Sequence, residues 1–381
     1  MNKQKTRPHI SITVLMAVFN GGRYLKASIE SVLNQTFRDF ELLIIDDCST
    51  DESLETARSF NDERIVICSN TENLGQVKSL NKGLGLARGK YVARMDADDL
   101  AFPSWLERQY EFIQQHPEYV VVSTRTAVID SYDRVVRTLK TPLLPEDIIL
   151  RCFTASPINH VGSLMQKSII LDNGGYDEHL HVPADYDLWS RLIRKGYRLT
   201  STSDILVAIR FHDESSTIRG RGEKDISEMS EIMFENIKSL TTYPIQKESM
   251  RLYWQLNYEV GDLDRMQFQE AVDILKNIYK NLKPALGIEQ RLVDAKSQKQ
   301  IKTLYMKKIF ASISDRDVKG VRFLSRDYLK RYGWRTIFSW VWVASFLGMI
   351  ILRFFPYIYE KFLKVWTKIA LRKQACPGYM H

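Results

Sequence analysis

The sequence predicts an α/β fold: a mixed, mostly parallel sheet with helices on both faces, followed by a C-terminal helical region. Three observations carry that reading. Short apolar runs alternate with helix-period segments from residue 10 to about residue 215. The strand signal then stops near 220, and from 223 to 332 apolar residues recur three and four apart. The expected division is a sheet-bearing domain at 1–220, a helical region at 221–332 and a tail at 333–381. A chain of 381 residues is also longer than one hydrophobic core usually organises.

The expected strands are "SITVLMAVF" (11–19), "FELLIID" (40–46), "RIVICS" (64–69), "KYVARMD" (90–96) and "YVVVST" (119–124). Their apolar and β-branched residues run on with little alternation, as in strands covered on both faces. Helical spacing fills 23–35, 52–60, 74–88 and 104–115. Such βαβα alternation calls for right-handed crossovers, and ligands of these sheets bind beyond the carboxyl ends of the strands, where the strand order switches. The places to inspect are therefore Asn20, the pair Asp46 and Asp47, Asn70, and Asp96 to Asp99.

With 44% hydrophobic and 26% charged residues the chain is globular. Its four cysteines, Cys48, Cys68, Cys152 and Cys376, contain no C-x-x-C pair, which argues against a disulfide framework or zinc site and for a reducing cytoplasm. The basic N-terminus precedes a short apolar run with no small-residue cleavage site, so it reads as a first strand and not an export signal.

Net charge is +8, and residues 321–381 alone hold eleven Lys or Arg against Asp327 and Glu360. The remainder is close to neutral. A basic excess interleaved with Trp, Phe and Tyr at one end points to an anionic membrane surface, and not to a nucleic-acid groove. Residues 336–352 carry no charge and sit at the lower edge of bilayer-spanning length. Beyond Pro356, Lys361, Lys364, Lys368 and Arg372 lie opposite Ile358, Phe362, Val365, Trp366 and Ile369, the pattern of a basic interfacial helix. The expectation is monotopic or re-entrant attachment to the cytoplasmic leaflet. Packing on the chain's own domain, or on a second copy in a homodimer, is the alternative.

The stretch "ARMDADDLAFPSW" places Asp96, Asp98 and Asp99 at the end of an expected strand. In an extended segment Asp96 and Asp98 share a face, while Asp99 turns away or caps the next segment. Two carboxylates ~6 Å apart repel by about 3 kcal/mol at an effective dielectric of 20. A divalent cation with hard oxygen ligands, Mg²⁺ or Mn²⁺, removes the conflict, and such ions are commonly held by one or two carboxylates plus phosphate oxygens. A solvated acidic turn is the competing reading.

Further blocks accompany this one in order. They are "MAVFNGGRYLKASIESVLNQTF", "FELLIIDDCSTDES", "NTENLGQVKSLNKGLGLARGKYVARMDADD", "INHVGSLMQKSIILDNGGYDEHLHVPADYDLWSRLIRKG" and "IRFHDESST". Together they resemble the family 2 glycosyltransferases of the Rossmann-like GT-A fold over about residues 10–217. The resemblance implies a metal-dependent, inverting transfer from a nucleoside-diphosphate sugar, with UDP the implied nucleotide and dTDP or GDP left open. The acceptor would be a saccharide, with a lipid-linked one in bacterial surface polysaccharide assembly the leading expectation.

Residue by residue, the resemblance implies that Ala17, Phe19 and Asn20 line the nucleotide pocket. Asp47 bonds the nucleobase edge with Asp46 adjacent, and Lys78 contacts base or phosphate. Asp96 reaches the ribose, Ala97 belongs to the same nucleotide-binding turn, and Asp98 binds the Mn²⁺ or Mg²⁺ that bridges the phosphates, with Asp99 close by. Asp185 matches the catalytic base. His212, after Arg210, matches a position facing the diphosphate or metal, and His160 is a further candidate. Competing structural readings are a helix-capping role for Asp47 through the Ser49-to-Glu52 spacing, core packing for Leu188 and Trp189, and a salt bridge for Arg94 with a solvated helix end at Arg88. The chain departs from the family pattern at Ala17 and Val161, where prolines are usual, at Cys48, usually glycine, and at Ala184, often glutamate. A sugar nucleotidyltransferase and a non-catalytic sugar-nucleotide-binding protein are the alternative functions. A dinucleotide-binding oxidoreductase needs a G-x-G-x-x-G loop, which Asn20-Gly21-Gly22 does not supply.

Overall fold

In the computed structural model, the described residues are 10–180, 183–211, 222–315, 317, 320, 323–325 and 327–328. The chain divides into two compact units, Met1–Ile232 and Met233–His381.

The first unit is built on one nine-stranded sheet. Its strands are β1 (Ile12–Val18), β2 (Phe40–Asp46), β3 (Ile65–Ser69), β4 (Tyr91–Arg94), β5 (Leu100–Ala101), β6 (Tyr119–Ile129), β7 (Val135–Leu139), β8 (Leu164–Gln166) and β9 (Arg198–Arg210). They are ordered β3-β2-β1-β4-β8-β6-β9-β5, with β7 paired to β6 outside that path. β3, β2, β1 and β4 run parallel; β8 is antiparallel to both β4 and β6; β9 is parallel to β6; β5 and β7 are antiparallel to β9 and β6. The sheet is thus mostly parallel and mixed, as expected.

Side-chain alternation explains how both faces are covered. Ile12, Val14, Met16 and Val18 of β1 join a core with Leu25, Ile29 and Val32 of α1 (Leu25–Leu33) and Trp105, Leu106 and Ile113 of α4 (Trp105–Gln115). The opposite face of β1 meets α3 (Gln76–Leu86), which packs on β1 and β2. There the approach is so close that a Cβ on Gly83 would lie 2.2 Å from Leu15 Cδ1, so any larger residue would force the Leu15 side chain to shift. Helix α2 (Ser53–Arg58) connects β2 to β3. The same unit contains α5 (Pro145–Arg151), α6 (Lys167–Asp172) and α7 (Ala184–Arg194). Arg88 is exposed just beyond the end of α3, as expected, and its guanidinium also pairs with Glu41 at 2.5 Å, since Glu41 is buried within the sheet and needs a charge partner there.

Helix α8 (Glu223–Leu240) runs across the boundary between the units. The second unit then holds α9 (Met250–Tyr258), α10 (Arg265–Lys280) and α11 (Gln290–Ser314). Helix α10 starts with a reciprocal cap between Asp264 and Gln267, and its buried stripe of Phe268, Ala271, Val272, Leu275 and Ile278 has helical spacing. Phe268 meets Tyr305 of α11 edge to face at 5.0 Å. No helix among the described residues is long and apolar enough to cross a membrane. The expected apolar stretch 336–352 and the basic helix after it lie outside the described residues.

Candidate active site

The carboxyl ends of β1, β2 and β4 lie side by side, and the loops leaving β1 and β2 are bonded to each other. Asn20 Oδ1 accepts the Thr50 amide at 2.8 Å, the Asn20 amide donates to Ser49 Oγ at 3.1 Å, and the Gly21 amide donates to Ser53 Oγ at 2.8 Å. Asn20 and Cys48 both adopt positive φ, 51° and 62°. Asn tolerates that region; for Cys48, standing where the family usually has glycine, it costs ~1–2 kcal/mol. Phe19 is 50% exposed at the mouth of this region, and Ala17 is half-buried beneath it.

Asp46 is buried and accepts the Ser49 amide at 3.2 Å. Asp47 is also buried and does not cap α2. Its carboxylate accepts from Asn70 Nδ2 at 2.7 Å, the Leu74 amide at 2.9 Å and the Gly75 amide at 2.8 Å. Burial alone would raise its pKa, but Asn70, Leu74, Ser79 and Gly75 outweigh that and hold the carboxyl below its ordinary value. Asp47 therefore shapes the segment leading into α3. Lys78 is exposed in the first turn of α3, and Lys82 one turn later donates to Asn70 Oδ1 at 2.6 Å.

Beyond β4 the chain turns at Ala97 and Asp98, and the carboxylates of Asp96, Asp98 and Asp99 come within 4.8 Å of one another. Asp99 does not turn away as an extended segment would require: the turn brings it into the cluster, 2% exposed, where it accepts the Arg210 amide at 2.8 Å. Burial first, then the charges of Asp98 and Asp96, push its carboxyl well above the ordinary range, against the opposing Arg210 amide and Arg94 charge. Asp96 pairs with the fully buried Arg94, as expected, and accepts from Gln76 Nε2 at 3.3 Å. Ala97 packs against the main core. Arg210 ties the region together: its Nε donates to the Asp98 carbonyl at 2.8 Å, its guanidinium pairs with Asp133, and it lies 4.4 Å over the Tyr24 ring. His212 lies outside the described residues.

Asp185 stands in the first turn of α7, where the helix dipole favours a carboxylate, and Ser156 Oγ donates to its Oδ2 at 3.0 Å. Leu188 and Trp189 on the same helix are core residues, each 0% exposed. His160 is enclosed by Tyr176 and Trp189, with Nε2 at 2.7 Å from the Tyr176 hydroxyl. Burial pushes that hydroxyl's pKa up; the Arg94 charge opposes the rise and the charges of Asp185 and Asp96 add to it, so Tyr176 lies within the field of both acidic groups. The sequence reading does not single out Gln76, Lys82, Ser156 or Tyr176. They come from loops and helix turns whose approach is decided by packing, and none belongs to a spaced motif.

Burial and the charge of Arg94 hold the His160 imidazole well below its ordinary 6.5, hence neutral in the folded protein. Unfolded chains take up this proton as pH falls through about 6.5 and folded chains do not, so stability falls on acidification by up to ~1.4 kcal/mol per pH unit until the folded value is reached. His160→Gln should flatten that slope, measured by urea unfolding between about pH 7 and about pH 5. Parallel slopes for both proteins would contradict it.

An open cavity of about 440 Å³ is lined by Asn81, Tyr176, Glu178, His179 and Arg191, among others. Arg191 reaches it from α7, tied to Asp187 one turn earlier at 2.6 Å. Asp185 projects ~120° around the helix from Arg191, so the cavity opens on a different side of α7 from that carboxylate. The polar groups of the cavity are largely engaged with their surroundings: Asn81 bonds the Tyr176 backbone and Glu178, and Arg191 bonds the carbonyls of Asn173 and Gly175.

The family model described as Glycosyl transferase family 2 matches residues 13–173. The putative glycosyltransferase EpsE of Bacillus subtilis is 35% identical over 205 residues, covering 52% of this chain and 72% of EpsE. The O-antigen biosynthesis glycosyltransferase WbnJ of Escherichia coli is 31% identical over 220 residues, covering 54% of this chain and 81% of WbnJ. Among solved structures, residues 1–349 of S. aureus TarS in complex with UDP-GlcNAc superpose with a TM-score of 0.52 at 16% identity, covering 84% of this chain and 92% of that one. At that identity the likeness speaks for the fold alone, a GT-A sheet domain followed by a helical region. Ordered sequence blocks, an acidic turn at the end of β4 and relatives matched over most of their length lead to one conclusion: the chain belongs to the family 2 glycosyltransferases.

Proposed function

We propose that the protein transfers a sugar, with inversion, from a nucleoside-diphosphate sugar to an acceptor hydroxyl in surface polysaccharide assembly. The observation that carries the reading is the convergence of Asp96, Asp98 and Asp99, whose ligand atoms lie within 4.8 Å of one another at the carboxyl end of β4. The donor set fits Mn²⁺ or Mg²⁺, since it offers three carboxylates, hard oxygen ligands whose mutual repulsion a divalent cation relieves. Asp98 would hold the ion, with Asp96 and Asp99 beside it. A bound divalent ion supplies offset for the negative charge that accumulates on a leaving diphosphate.

The chain's own residues account for the remaining steps. Asp47, Asn70 and the start of α3 form the pocket floor for the base, with Phe19 and Lys78 at its mouth. Asp96, held by Arg94 and Gln76, presents its carboxylate to the ribose. Asp185 accepts the proton of the acceptor hydroxyl as its oxygen attacks the anomeric carbon. The bond from that carbon to the diphosphate breaks on the far side, the electron pair leaves with the nucleotide, and an α-linked donor gives a β-linked product. UDP is the proposed nucleotide, supported by the family and by the UDP-GlcNAc complex of TarS. A lipid-linked saccharide is the proposed acceptor, supported by WbnJ's role in O-antigen biosynthesis and by the basic, aromatic tail.

The direct experiment is a donor panel of UDP-, dTDP- and GDP-sugars with Mn²⁺ or Mg²⁺, scored by nucleotide release. Release of the nucleoside diphosphate supports transfer; release of pyrophosphate identifies a nucleotidyltransferase; binding without either identifies a non-catalytic protein. Attachment is tested separately. Deleting residues 333–381 should move the protein from the membrane fraction to the soluble one, and a truncated chain still found in the membrane fraction overturns the proposed role of the tail.

A further inference from the structure

We infer that Ser156 is a positioning residue for Asp185, aiming one carboxylate oxygen and favouring its ionised form. The inference rests on Asp185 acting as the base. Ser156 Oγ lies 3.0 Å from Asp185 Oδ2 and 3.2 Å from the Ile158 carbonyl. A hydroxyl has one hydrogen, and an ionised carboxylate is the stronger acceptor, so the hydrogen goes to Asp185 while that group is charged. When Asp185 takes up the acceptor's proton, the same hydrogen can turn to the Ile158 carbonyl. The hydroxyl then stabilises the charged base without penalising the protonated one.

Ser156 is itself held in place. Arg151, the last residue of α5, donates from Nε to the Ser156 carbonyl at 3.0 Å, and the Tyr186 hydroxyl on α7 donates to the Cys152 carbonyl at 2.5 Å. The 152–156 segment is thus pinned to the first turn of α7 by two bonds, one to Asp185 and one from Tyr186. A side chain arriving from a different element sets the rotamer of Asp185 in a way that α7 alone cannot.

The test is the pH profile of nucleotide release, with water as acceptor, from the sugar nucleotide that turns over in the donor panel. Ser156→Ala should lower kcat about 10-fold near neutral pH, leave the donor KM within about twofold, and move the acid limb to higher pH by about half a unit to one unit. Ser156→Thr, which restores a hydroxyl, should return the limb to its wild-type position. Ser156→Cys, a weak donor, should shift it in the same direction as alanine. Asp185→Asn is run beside them. If it retains activity, the base assignment falls. If it is inactive while the alanine and cysteine profiles superimpose on the wild type, the Ser156 inference alone falls.

Discussion

Asp98→Ala should lose sugar transfer by about 10²–10³-fold and, with it, the dependence of donor binding on Mn²⁺ or Mg²⁺. The substitution is informative because the fold should survive it. Arg210 holds residue 98 through its backbone carbonyl, which alanine keeps. Burial chiefly raises the Asp99 carboxyl, and removing Asp98 relieves the charge repulsion that adds to it, so the variant should unfold at or slightly above the wild-type midpoint. Asp99→Ala should behave differently, since it removes the acceptor for the Arg210 amide inside the core. The measurements are UDP titration with and without the ion, and a thermal melt of each variant. Wild-type affinity and ion dependence in Asp98→Ala would remove Asp98 from the proposed metal site.

Asp185→Asn should lower transfer by about 10²–10⁴-fold, the range expected when a positioned base is lost, while leaving UDP affinity and its ion dependence as in the wild type. Asparagine keeps the size and can still accept from Ser156, so the loss should appear in kcat with little change in donor KM. The contrast between the two variants separates holding the leaving group from activating the nucleophile. If Asp185→Asn weakened UDP binding as strongly as Asp98→Ala, Asp185 would belong to the donor site and the division of labour would be wrong.

The first four parallel strands and β6 were legible because buried strands are written as unbroken apolar runs. The structure keeps β2 as expected, trims β1, β3 and β4 by one to three residues and extends β6 to Ile129. β5 and β8, two and three residues long, are too brief to carry a period, and β7 lies off the main strand path. β9 hides because its central stretch, Thr202 to Asp204, is polar and half-buried to exposed, and its pairing with β6 shifts register between Thr202 and Ile205. These strands take their place from neighbours with no local signal of their own.

The candidate site divides along similar lines. The acidic turn after β4 and the Asp pair after β2 stand at strand ends, where position in the chain already indicates position in space. How the cluster is assembled was not legible: an extended segment would send Asp99 outward, whereas a turn at Ala97 and Asp98 folds it inward. The partner of Arg88 was hidden for a related reason, since Glu41 lies 47 positions away on β2. Ser156 and Tyr176 reach the neighbourhood of Asp185 from separate loops, and long-range approach of that kind leaves no spacing to read.

The central claim is that a divalent cation held at Asp98 secures the donor's diphosphate. A crystal structure of the protein grown with UDP and Mn²⁺, with anomalous diffraction to locate manganese, tests it most directly. The account predicts one manganese peak between the Asp98 carboxylate and the diphosphate oxygens. Manganese bound away from Asp98, or UDP seated in the cleft with its phosphates contacting only side chains, would contradict it.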